Sequence, residues 1–180
     1  MKKSIFEYPS IKERREKVKQ HFLRLTIVVV LIGMTACGPR ETELSFETIE
    51  QSDYSDYSTL ESHIVLVASQ DDIDQMAGLI DQVALDQLAK LDFQQYFAIA
   101  VFRGLQASSG YDVIIERLVR RNDAITVYAK FWEPSPYWEV LDTETSPYHL
   151  VKVHKDGDVV SQEIELVLQS PVVTPTSPSR

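Results

Sequence analysis

The chain has 180 residues, 44% hydrophobic and 25% charged, and a net charge of −9. That is the balance of one ordinary globular domain with room for terminal segments, not of a disordered polyelectrolyte. A single cysteine, Cys37, excludes an intrachain disulfide, and the acidic excess excludes nucleic acid as a partner, because phosphate binding rests on clustered Lys and Arg.

Charge is unevenly placed. Residues 1–24 hold eight Lys or Arg against three acidic residues, and taking that +5 from −9 leaves −14 from Leu25 onward. A basic head followed by the apolar run 25–36 has the order of a secretory signal, and the run is short for a membrane span. Met34-Thr35-Ala36-Cys37-Gly38 resembles the bacterial lipobox, with Met34 where Leu is commoner. The resemblance implies cleavage before Cys37, a diacylglyceryl group on its sulfur and acyl chains such as palmitate on the new amino terminus. The product would be exported and lipid-anchored to the bacterial cell membrane or outer membrane, because two or more chains hold stably where one binds only marginally. The alternative for Cys37 is a plain thiol after an uncleaved anchor. Residues 1–36 thus read as a lipoprotein signal peptide and 37–45 as a lipid-proximal tether. The anionic remainder is repelled by anionic lipid, which leaves Cys37 as the membrane attachment.

Residues 45–49 are expected as a first strand, followed by a polar loop with a repeated Asp-Tyr-Ser. Asp53 and Asp56 lack the glycine and the closing Glu of a calcium loop. The run 63–68 is a second, fully apolar strand. Ser69 and Asp72 then resemble a capping box opening one amphipathic helix, with Ile73, Met76, Ala77, Ile80, Ala84, Leu88 and Leu91 as its apolar stripe.

Residues 96–103 organise the rest, because Tyr-Phe-Ala-Ile-Ala-Val-Phe is apolar on both alternating faces and belongs mid-sheet with both sides covered. The small, polar turn 104–111 has Gly104 and Gly110 available for positive φ and lacks the Lys and Ser/Thr of a phosphate loop. Alternation from Tyr111 to Trp132 gives an antiparallel hairpin turning at 121–123. The connection 133–147 carries three prolines with Tyr137 and Trp138, which either form a docking patch or cap one end of the core. A strand at 148–154, a hairpin turn at 155–158, a return strand at 159–168 and a disordered Pro/Ser/Thr tail at 169–180 complete the chain. Residues 46–168 are therefore expected as one α+β domain: a mostly antiparallel, curved, barrel-like sheet packed on one amphipathic helix.

No residue pattern points to catalysis. His149 and His154 are five apart and face opposite sides of a strand, so they do not share a metal. Ser109, His63 and Asp112 lack a nucleophile-elbow signature. No metal site, cofactor or catalytic residue is assigned, and the chain reads as a binder.

Phe46-Glu47-Thr48-Ile49-Glu50-Gln51 with Tyr54-Ser55, then Leu91-Asp92-Phe93, then Ser109-Gly110-Tyr111, then Ser146-Pro147-Tyr148-His149-Leu150-Val151, in this order, resemble PrcB-type protease-complex subunits. The likeness covers roughly residues 46–155. It implies a small exported protein, often a lipoprotein, that assembles or regulates a surface protease without itself being proteolytic. The family usually has Thr-Gly-Gly-Tyr where this chain has Ser108-Ser109-Gly110-Tyr111. The expected role is a non-catalytic accessory subunit that meets a protease or another envelope protein through Ser109, Gly110, Tyr111, Tyr137 and Trp138. The alternatives are a direct protease inhibitor presenting 104–111 or 133–147 to a cleft, and a structural envelope lipoprotein.

Overall fold

The computed structural model describes residues 41–122, 124–155 and 163–173. Its strands are β1 (Glu41–Leu44), β2 (Phe46–Ser52), β3 (His63–Val67), β4 (Tyr96–Phe102), β5 (Asp112–Arg121), β6 (Ala124–Glu133), β7 (Tyr148–His154) and β8 (Glu163–Val173). They form two four-stranded sheets, ordered β1-β5-β6-β8 and β2-β7-β4-β3. All neighbours pair antiparallel except β6 with β8, which run parallel.

The expected single barrel-like sheet is thereby corrected to two open ones. Only Ser45 separates β1 from β2, so the chain passes from the edge of one sheet to the edge of the other. The facing sides share one core, in which Phe97, Ile99, Val101, Val151 and Val153 meet Val113, Ile115, Leu118, Ile125 and Val127. Two faces closing on one another bury the alternate apolar residues of every long strand.

β4 lies between β7 and β3, covered on both sides. Phe97, Ile99 and Val101 enter the inter-sheet core, while Ala98, Ala100 and Phe102 enter a second core under the connection from β3 to β4. That connection is where the single expected helix is corrected. The capping box forms, with Asp72 Oδ2 accepting from Ser69 N–H at 2.9 Å and from its hydroxyl at 2.9 Å. It opens only a 3-10 helix, Gln70–Gln75. The chain then turns at Gly78, φ +76°, and α1 (Gln82–Ala89) starts afresh at Asp81, whose carboxylate accepts from Ala84 N–H at 2.8 Å. Glycine costs about 1 kcal/mol relative to Ala inside a helix, and a bond from Asp56 N–H to Leu79 O at 2.9 Å ties the break to the loop after β2. The apolar stripe is nonetheless buried: Ile73, Met76, Ile80, Ala84 and Leu88 pack on the outer face of the second sheet, while Ala77 is exposed.

The domain bounds also move. Residues 41–44, expected within the tether, are β1 paired to β5, with Leu44 buried. β8 is not the hairpin partner of β7: it runs along β6 in the other sheet, and its backbone continues to Val173, into the segment expected as tail. The β5–β6 hairpin turns where expected, with Asn122 at φ +55°, a conformation that asparagine tolerates better than most residues. Cys37, the segment 1–36 and most of the turn at 155–158 lie outside the described residues.

Candidate partner-binding surface

Antiparallel order sends three connections to one pole of the sandwich: 53–62 after β2, 104–111 after β4 and 134–147 after β6. They are stitched into one body. Gln106 and Thr145 exchange two backbone bonds at 2.8 and 3.0 Å, and the Thr145 hydroxyl donates to Ser108 O at 3.0 Å. Ser109 N–H donates to Leu141 O at 3.0 Å, while Leu141 N–H donates to Ser109 Oγ at 2.9 Å. Ser146 binds the first loop through its hydroxyl to Tyr57 O at 2.7 Å and its N–H to Asp53 O at 3.0 Å. Leu105 N–H donates to Thr59 O at 2.8 Å. Gly104 makes that approach possible: at φ +94°, a Cβ there would sit 2.6 Å from Leu60 O.

The residues expected to meet a partner divide by role. Ser109 is half-buried and holds loop to loop. It is not at positive φ, so the glycine missing from the family's turn takes no needed freedom with it, and the Ser hydroxyl makes a bond that glycine cannot. Gly110 does sit at φ +90°, against Pro134. Tyr111 is half-buried beside Arg103.

Tyr137 alone of the five is fully displayed, at 86% exposure. It stands on a β-turn, Ser135-Pro136-Tyr137-Trp138, closed by Trp138 N–H to Ser135 O at 2.9 Å, with proline at the position whose φ it presets. Trp138 is half-buried, with its indole nitrogen buried and unbonded. Sequence reasoning missed Leu60, Leu141, Tyr54 and Val140, exposed at 77%, 68%, 56% and 39% on two of the three loops, 53–62 and 134–147. Their signal was apolar residues stranded between acidic ones, as in Glu139-Val140-Leu141-Asp142.

Two buried polar side chains underlie this surface. Arg103 closes the apolar run of β4 and is 6% exposed. Its guanidinium lies 4.8 Å from the ring centres of both Tyr111 and Phe131, donates to Asp112 O at 3.1 Å and pairs with Glu133 at 3.5 Å. Burial lowers its pKa, opposed by Glu133, Tyr111 and Asp112. One side chain thus joins the ends of β4, β5 and β6. His149 does the equivalent between the sheets. Its Nδ1 accepts from Ile115 N–H at 2.8 Å, so Nε2 carries the proton and donates to Thr48 Oγ1 at 2.8 Å. β1 ends opposite Leu118, and the imidazole serves β5 backbone beyond it. Burial lowers the His149 pKa, with Asp112 opposing.

Ser109, His63 and Asp112 are engaged separately: His63 stacks on Tyr57 at 5.6 Å, and Gln51 Nε2 donates to both Asp112 carboxylate oxygens at 3.1 and 2.9 Å. Among the described residues, no group of three His, Cys, Asp or Glu is disposed to hold a metal ion, and no helix is long and apolar enough to cross a membrane.

Residues 97–154 match the family model described as PrcB C-terminal. The chain carries a PrcB-type domain. No curated protein and no solved structure matches it. The PrcB segment runs from β4 to β7, so it contains Arg103, His149 and both later loops, while β8 and everything before β4 fall outside it. PrcB-type domains belong to protease-complex-associated subunits, a family of accessory rather than catalytic chains.

Proposed function

We propose that this chain is a non-catalytic envelope lipoprotein serving as an accessory subunit of a surface protease complex, and that the three-loop pole is where it meets its protein partner. The observation that carries the reading is the exposure of Tyr54, Leu60, Tyr137, Val140 and Leu141 on loops held rigid by mutual hydrogen bonds within and beside the PrcB segment. Apolar side chains displayed together mark interaction sites, and a surface already ordered loses little entropy on binding. Tyr137, raised on its proline turn, also supports a second reading, insertion of this loop into a protease cleft as an inhibitor.

The test isolates the tagged mature protein from its own membranes and measures the protease activity that accompanies it. Wild type retains a protease whose recovery falls at least tenfold for Tyr137→Ala/Leu141→Ala, and Cys37→Ser moves the protein out of the membrane fraction. Equal recovery of protease by both forms would refute the proposed surface. An isolated protease that gains activity when the wild-type subunit is stripped away would instead favour the inhibitor.

A further inference from the structure

The three loops hold six carboxylates, Asp53, Asp56, Glu61, Glu139, Asp142 and Glu144, and no Lys or Arg. All six are exposed, and among the described residues none of them enters a salt bridge. Among the described residues Arg103, which underlies this pole, is buried and held by Glu133, Tyr111 and Phe131, so it cannot offset them at the surface. Between the carboxylates stand Tyr54, Leu60, Tyr137, Val140 and Leu141. At the other end of β5, the hairpin carries Arg117, Arg120 and Arg121.

We propose that the partner of this pole is a protein surface of opposite character, an apolar centre ringed by Lys and Arg. The proposal rests on the preceding reading and specifies its chemistry. A surface with like charge, an anionic membrane above all, is repelled by these six groups, whereas a basic one is steered to them. Complementary charge raises association from roughly 10⁵–10⁶ toward 10⁸–10⁹ M⁻¹s⁻¹ at low salt, and that gain fades as the Debye length shrinks from about 10 Å at 0.1 M to 3 Å at 1 M. The apolar side chains supply the part that salt does not remove.

The experiment places a photo-crosslinking phenylalanine analogue at position 137 of the full chain in the cells that make it, and at Val83 on α1, exposed at 67%, as a control. The expected result is one protein cross-linked from 137 and not from 83, with a cross-linked segment of net positive charge. Its yield in isolated membranes falls at least fivefold between 0.05 and 0.5 M salt. Glu139→Lys/Asp142→Lys/Glu144→Lys gives a similar loss with an unchanged melting temperature, and Glu139→Gln/Asp142→Gln/Glu144→Gln a smaller one. A cross-linked protein segment that is neutral or acidic, with a yield indifferent to charge reversal, would overturn the proposal and leave the accessory-subunit reading standing. Products made only with lipid or with a second copy of the chain, or no product from 137, would overturn both.

Discussion

At one pole of the sandwich, β1 passes to β2 through a single residue and β5 turns into β6 at Asn122. At the other, the same kind of antiparallel strands are joined by three long loops that bond to one another and display apolar side chains and carboxylates. That first pole also carries the connection 68–95, and none of the three loops is a hairpin: two cross between the sheets and 53–62 joins opposite edges of one. What sets the loop pole apart is that its connections bond to one another into one surface: Arg103, Gly104 and Gly110 hold it, while Tyr137 and Leu141 are carried on it. Substitutions that break the support and those that trim the surface should separate cleanly.

The largest effect is expected beneath the loops. Phe102→Ala removes a fully buried ring that lies 5.6 Å from Tyr148 and 5.2 Å from Tyr57, and should cost about 3–5 kcal/mol in denaturant unfolding. Arg103→Leu leaves Glu133 without this partner and removes the bond to Asp112 O; a loss of about 2–4 kcal/mol is expected, with faster amide exchange confined to 104–111 and the end of β6. Gly104 and Gly78 sharpen the contrast, since both have positive φ but only Gly104 faces backbone within 3 Å. Gly104→Ala should cost about 2 kcal/mol or more and Gly78→Ala about 1 kcal/mol. Tyr137→Ala, at the exposed tip, should stay within about 0.5 kcal/mol of wild type in stability, while partner affinity falls about tenfold or more.

His149 gives the comparison a pH axis. Its folded pKa lies below the ordinary value of 6.5, chiefly because it is buried. The unfolded chain then binds the proton more readily, so stability is full above pH 6.5 and is lost as pH falls from there through the lower folded value. Protonating Nδ1 also removes the acceptor for Ile115 N–H. Urea midpoints measured from pH 8 to 4 should show this decline, and His149→Gln should flatten the part that belongs to the imidazole.

What the sequence revealed follows from what periodicity encodes. β4 was legible because a run apolar on both faces has few homes other than mid-sheet, and the β5–β6 hairpin because alternation brackets Arg121-Asn122. Alternation says which side of a strand faces a core but not which sheet the strand joins. The two-sheet division and the parallel seat of β8 beside β6 therefore came only from the structure. The stripe from Ile73 to Leu88 was correct as a buried set and misleading as one helix, since a 3-10 turn, the bend at Gly78 and α1 deliver the same side chains to the same face. At the candidate surface, Tyr137 was legible as an aromatic in a proline-rich loop. Leu60 and Leu141 were not, because their exposure depends on how three loops bond together. Arg103 was hidden by its position at the end of an apolar run, where a cation ordinarily marks the return to solvent.

Hydrogen–deuterium exchange of the protein, alone and bound to whatever protein partner is recovered with it, compares the poles within a single molecule. Slowed exchange on binding in 53–62, 104–111 and 134–147, with the hairpin around Asn122 unchanged, is the predicted pattern. Protection centred on that hairpin, with the three loops exchanging as freely as before, would contradict the assignment of the partner to the loop pole.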